Sequence, residues 1–147
     1  MIESLRKWLT TSAAHGYSNC LDRGNGNCLP NCQGLAWGLF YYMHGRRVDF
    51  SKRPRGNAGE MYEKCKKDGS GFWVRKAVKE NSILCFNNSK EGHVVYCLCE
   101  LPDGVYLCLE SNYSGTLKNG KYFRCYATKK PTELYKNYQG CIYDFAD

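Results

Sequence analysis

The stretch His93-Val94-Val95-Tyr96-Cys97-Leu98-Cys99-Glu100-Leu101-Pro102-Asp103-Gly104-Val105-Tyr106-Leu107-Cys108-Leu109-Glu110-Ser111-Asn112 decides the architecture. Two apolar runs, His93–Leu101 and Val105–Asn112, flank Pro102-Asp103-Gly104. Strand-forming runs around an Asp-Gly turn signal an antiparallel hairpin. Ser82–Phe86 reads as a short strand before it, with Asn87–Gly92 as a polar turn. Lys121–Ala127 and Gly140–Phe145 read as two more strands. Upstream the texture is helical. Leu35, Leu39 and Met43 recur at i, i+4 and i+8 beside Phe40 and Tyr42. That spacing predicts a helix over Cys32–Gly45, with Asn31 as N-cap and Gly45 as C-cap. A second helix is expected over Asn57–Lys67. A short amphipathic helix is expected over Met1–Ala14, followed by a Gly/Asn-rich loop over Gly16–Asn31. Helices first and sheet afterwards define an α+β fold, with N-terminal helices packed on an antiparallel β-sheet.

The chain's 147 residues suit a single domain, 1–147, with a real core. Its 43% hydrophobic and 24% charged residues are ordinary globular composition. No apolar run approaches the roughly 18 residues of a membrane span. Met1–Thr11 carries Glu3, Arg6 and Lys7 with no apolar segment behind them, unlike a secretory signal. The net charge of +7 favours polyanionic partners such as nucleic acid, anionic lipid or wall teichoic acid, or serves simple solubility. No Lys/Arg block exceeds two residues, so no polybasic arm is present. Of the ten cysteines, Cys85, Cys97, Cys99 and Cys108 sit in apolar strand-like runs, where they act most simply as small core residues. The absence of any C-x-x-C argues against structural zinc, and the chain reads as reduced and made in a cytoplasm.

Cys32 is the most informative residue. A helix start offers unpaired N–H groups and the positive end of the dipole, both of which favour a thiolate. The preceding Gly/Asn-rich loop lets backbone N–H groups approach a carbonyl, so nucleophile and oxyanion site can be built together. A buried, inert helix-start cysteine is the plain alternative. A nucleophile needs a base, and the three histidines are His15, His44 and His93. His44 stands beside Gly45, where the helix dipole explains it structurally. His93 opens an apolar strand, which would fix its rotamer. Along that strand His93, Val95, Cys97 and Cys99 share a face. A two-residue turn at Asp103-Gly104 sets Cys97 opposite Glu110 and His93 opposite Ser114. A four-residue loop sets His93 opposite Asn112 with Glu110 on the diagonal. Both registers put Glu110 and Asn112 on the His93 face, and a one-residue bulge would upset them. Either residue could orient the imidazole, or simply be a solvated strand end.

These segments resemble CHAP domains, the cysteine, histidine-dependent amidohydrolases/peptidases. Asn31-Cys32-Gln33-Gly34-Leu35-Ala36-Trp37-Gly38 resembles their nucleophile segment. Gly56-Asn57-Ala58, Gly92-His93-Val94-Val95 and Glu110-Ser111-Asn112-Tyr113 resemble their later motifs, and Gln139-Gly140-Cys141-Ile142-Tyr143 resembles a closing strand of related phage enzymes. The order is kept from Asn31 to Tyr143. The resemblance implies a papain-like fold shared with NlpC/P60 peptidases, peptidoglycan as partner and substrate, and amide hydrolysis. Many members are phage endolysins or bacterial autolysins. It implies Cys32 as nucleophile, His93 as base, Glu110 and Asn112 as polar residues completing the site, and Tyr113 lining the groove. Asn31 is a candidate oxyanion donor. Some phage members bind calcium through loop carboxylates, but Leu21–Asn31 holds only Asp22, so calcium is possible but not favoured and no cofactor is expected. The expected site of action is the bacterial cell wall, without nucleic acid or membrane insertion, with room for a separate wall-binding domain or subunit. The bond, MurNAc–L-Ala or one in the stem peptide or cross-bridge, stays open. A non-catalytic basic and aromatic binding module is the alternative from another class, since 12 Tyr and 21 Lys/Arg could stack on and contact a polyanion.

Overall fold

The computed structural model describes residues 31–44, 56–68, 72–88, 90–111 and 124–144. The expected Met1–Ala14 helix, the loop before Asn31 with His15 and Asp22, and the expected Gly45 C-cap lie outside the described residues. Helix α1 spans Asn31–Met43, and a single 3-10 turn, Ala58–Glu60, leads into α2, Met61–Asp68. The strands are β1 Phe72–Arg75, β2 Ser82–Phe86, β3 His93–Glu100, β4 Tyr106–Glu110, β5 Arg124–Thr128 and β6 Tyr138–Asp144. They form one antiparallel sheet in the order β1-β6-β2-β3-β4-β5. The α+β expectation therefore holds as helices on an antiparallel sheet.

Alternation along the strands sorts the core into two layers. Ile83, Cys85, Val94, Tyr96, Leu109 and Ile142 pack with Leu35, Trp37, Leu39 and Phe40 of α1. Residues 35–41 of α1 are all buried, and they are apolar apart from Gly38, so this helix is enclosed on every side rather than laid on the surface. Leu84, Phe86, Val95, Cys97, Cys108 and Cys141 form the second layer, covered by Leu134, Tyr135 and Tyr138 from the segment before and within β6. With both faces covered, every residue of β2 is buried. That explains its unbroken apolar run, Ile83-Leu84-Cys85-Phe86. Cys85, Cys97 and Cys108 are core thiols, all free.

The hairpin differs from the two-residue turn. Its connection is a five-residue loop, Leu101–Val105, closed by Leu101 N–H donating to Val105 O (2.7 Å) and Gly104 N–H donating to Leu101 O (3.1 Å). A bulge between Cys97 and Cys99 then shifts the register by one residue. The two irregularities compensate. Beyond the bulge Tyr96 pairs with Leu109 and Cys97 with Cys108, the register of the four-residue alternative. Cys99, expected in step with Cys97, pairs instead with Leu107. Further differences concern element limits: α2 starts at Met61 after the 3-10 turn rather than at Asn57, β5 runs on to Thr128, and β6 starts at Tyr138 rather than Gly140. Asn31 begins α1 rather than capping it. Phe72–Arg75 is an unforeseen edge strand, recruited by pairing with Cys141–Asp144 of β6.

Candidate active site

Helix α1 carries Cys32 in its first turn, half-buried against the core. The next side chain ties this helix start to the following connection, Gln33 Nε2 donating to Gly56 O at 2.9 Å. That connection in turn anchors β3. Gly59 N–H donates to Glu91 O at 2.8 Å. Gly92 has φ +72°, and a Cβ built on it would lie 2.2 Å from the Gly59 nitrogen. Two backbones touch here with no room for a side chain, so only glycine can deliver the chain into His93 at this angle.

His93 opens β3 opposite Phe86 and is 6% exposed. Its ring meets Tyr135 edge to face, centroids 4.7 Å apart. Nε2 lies 2.9 Å from Glu110 Oε2, and the Cys32 thiol is near enough to the ring to influence its titration. A thiol, an imidazole and a carboxylate from α1, β3 and β4 thus form one row. Burial alone would push the His93 pKa down. The interactions with Cys32 and Glu110, with the charges those groups carry when ionised, outweigh it and raise the imidazole from 6.5 to about 9.

Glu110 is 1% exposed, and three groups hold it. Oε2 faces His93 and accepts from the Tyr135 hydroxyl at 2.7 Å. Oε1 accepts from Arg124 Nε at 2.7 Å and lies 2.6 Å from the second guanidinium nitrogen. Arg124 reaches it because Glu110 and Arg124 are register partners on β4 and β5. Burial acts to raise the Glu110 pKa, but the hydrogen bonds from His93 and Tyr135, the His93 charge and the Arg124 contact prevail and lower it. The carboxylate is therefore ionised at neutral pH although it has almost no contact with water.

The structure thus brings together Cys32, His93 and Glu110 of the expected residues. Asn112 and Tyr113 lie outside the described residues, as does the side chain of Asn31. His44 is placed elsewhere, at the end of α1, with Nδ1 2.7 Å from Phe40 O and its ring against Phe40. Sequence reasoning missed Arg124 and Tyr135. An Arg on an expected strand was a visible signal for a buried Glu, but the register needed to pair them was not. Among the described residues no group of three or more His, Cys, Asp or Glu side chains is disposed to hold a metal ion. Among them, too, no helix is long and apolar enough to cross a membrane. Chemically, the row can hold the thiol proton on an imidazole whose far nitrogen faces a fixed negative charge.

No protein-family model matches the chain, and no curated protein matches it. The fold is similar to the crystal structure of Ly7917, with a TM-score of 0.51 at 14% identity. The match covers 90% of this chain, which spans only 61% of that structure. At that identity the likeness concerns the fold alone.

Proposed function

We propose that the chain is a cysteine-dependent hydrolase of peptidoglycan amides, a papain-like catalytic domain of the phage-lysin type. One observation carries the chemistry: a thiol in the first turn of α1 shares a buried histidine with an ionised, buried glutamate. The substrate class rests on the CHAP-like motifs quoted above.

Nε2 of His93 is committed to Glu110, which leaves Nδ1 to serve Cys32. In the attacking form the thiol proton already resides on the imidazole, and the thiolate sulfur attacks the amide carbonyl carbon. The oxyanion is stabilised by the Cys32 backbone N–H and a donor from the preceding loop such as Asn31. The imidazolium gives its proton to the leaving amine, the C–N bond breaks, and a thioester remains on Cys32. His93 then takes a proton from water, hydroxide adds to the thioester carbonyl, and the C–S bond breaks, which releases the acid product and leaves Cys32 as thiolate beside the protonated His93. Glu110 keeps the imidazole oriented and favours its protonated form. Asn112 and Tyr113 are proposed to complete the site and line the groove. The MurNAc–L-Ala bond and a bond in the stem peptide or cross-bridge both suit this chemistry.

The test is turbidity of Gram-positive walls treated with wild type and with Cys32→Ala, with mass spectrometry of released fragments. Lysis by wild type and none by Cys32→Ala is expected; a freed L-Ala amino terminus with peptide-free glycan marks an amidase, and a freed amino group within the stem peptide or cross-bridge marks an endopeptidase. Walls that bind both proteins equally and are lysed by neither would replace this reading with a non-catalytic binding module.

A further inference from the structure

The row from Cys32 to Glu110 does not end at Glu110. Both carboxylate oxygens are occupied from behind, Oε1 by Arg124 and Oε2 by Tyr135. Neither group is needed to solvate a surface carboxylate, since Glu110 is buried. Arg124 is planted on β5 and its guanidinium also stacks on Tyr126, 4.8 Å from the ring centroid. Tyr135 comes from the segment between the 3-10 turn Pro131–Glu133 and β6, and its ring packs on both His93 and Phe86. One residue thus binds the carboxylate electrostatically, and the other touches carboxylate and imidazole together.

We propose that Arg124 and Tyr135 form a clamp that holds the Glu110 carboxylate against His93, which makes both of them positioning residues of the Cys32 site. This rests on reading Cys32 and His93 as nucleophile and base. Three restraints on one carboxylate leave it a single rotamer, with Oε2 on the imidazole. Without the guanidinium, a buried ionised carboxylate with a free oxygen turns toward water and leaves Nε2. The clamp therefore acts on His93 through Glu110. The groups that face His93 are Cys32 from α1, Glu110 from β4 and Tyr135 from the 131–138 segment, with neutral Phe86 opposite on β2. Arg124 and Tyr126 of β5 bear on Glu110. Removing the Arg124 charge would by itself favour imidazolium. But Arg124 stands behind Glu110, whereas Glu110 touches the ring at 2.9 Å. Loss of the nearer charge dominates, and the His93 midpoint falls.

The experiment compares wild type, Arg124→Gln, Arg124→Lys and Tyr135→Phe by NMR titration of the His93 ring, by the pH dependence of Cys32 alkylation with iodoacetamide, and by wall lysis. In Arg124→Gln the His93 midpoint is expected to fall by about one pH unit, with kcat reduced about tenfold to a hundredfold and KM within about twofold. Arg124→Lys restores part of both, and Tyr135→Phe gives a smaller shift in the same direction. Should Arg124→Gln not fold, the other two variants carry the same expected direction. A His93 midpoint that stays in place or rises in these variants overturns the clamp. The titration and alkylation readouts need no wall. If wild type lyses no wall while the His93 midpoint still falls in Arg124→Gln, the substrate reading fails and the clamp stands.

Discussion

Replacing Glu110 by Gln should flatten the dependence of stability on pH between 6.5 and 8. In the native protein His93 holds its proton to about pH 9, against 6.5 for an ordinary histidine. Below pH 6.5 folded and unfolded chains both carry that proton, and the stabilisation is complete. Between 6.5 and about 9 the folded protein keeps a proton the unfolded chain has released, so stability falls by about 1.4 kcal/mol per pH unit. From pH 6.5 to 8 that amounts to about 2 kcal/mol. The window stops at 8 because unfolded thiols ionise from about pH 8.5, whereas burial holds Cys85 and Cys141 protonated in the fold, which adds a second slope of the same sign. Glu110→Gln keeps the size of the side chain and removes its charge. His93 then keeps Cys32 but loses its carboxylate, burial lowers its midpoint toward 6.5, and the fall from pH 6.5 to 8 should shrink to less than about 1 kcal/mol. Breaking a buried pair costs roughly 3 kcal/mol at pH 6.5, the low end of the usual range, because Arg124 is 45% exposed and water takes up part of its charge. Urea unfolding of both proteins at pH 6.5, 7.25 and 8 measures the two slopes, and subtraction removes the other histidines and the amino terminus. Parallel slopes in the two proteins would refute the coupling of His93 to Glu110.

Three shorter expectations follow from the same geometry. Gly92→Ala should destabilise by about 3 kcal/mol in thermal or urea unfolding, because a Cβ would meet the Gly59 backbone at a positive φ; an unchanged midpoint would contradict that contact. His93→Ala should lower turnover by about 10²–10⁴ with the fold retained, whereas His44→Ala should cost about 1 kcal/mol of stability and little activity, as circular dichroism and lysis rates will show. Iodoacetamide near neutral pH should modify Cys32 before Cys125, although Cys125 is the more exposed of the two; peptide mapping that finds Cys125 labelled first, with activity lost in step, would displace Cys32 as the nucleophile.

Local pattern made much of this fold legible. Ser82–Phe86 was readable because the apolar run Ile83–Phe86 lay between polar turns, and α1 because Leu35, Leu39 and Met43 kept helical spacing. The pairing of His93 with Glu110 followed from alternation, although the loop and the bulge that produce the register were each invisible; only their combined effect preserved the face. Phe72–Arg75 was missed because four residues ending in a cation, with Trp73 57% exposed, show no strand pattern until β6 pairs with them. Arg124 and Tyr135 were missed for a related reason. They reach Glu110 from segments 14 and 25 residues away, and no local spacing encodes that meeting.

Among the described residues strand β5 has β4 as its strand neighbour and lies last in the sheet, and its residues are largely exposed. The guanidinium that balances a buried carboxylate is therefore mounted on a terminal strand of the sheet as described. Terminal strands open in sub-global fluctuations that leave central ones closed. Each such opening would strip Glu110 of its counter-charge while β2, β3 and β6 remain intact. Heat should consequently abolish the proposed activity before the protein melts, and the amides of β5 should exchange with solvent deuterium ahead of those flanking His93.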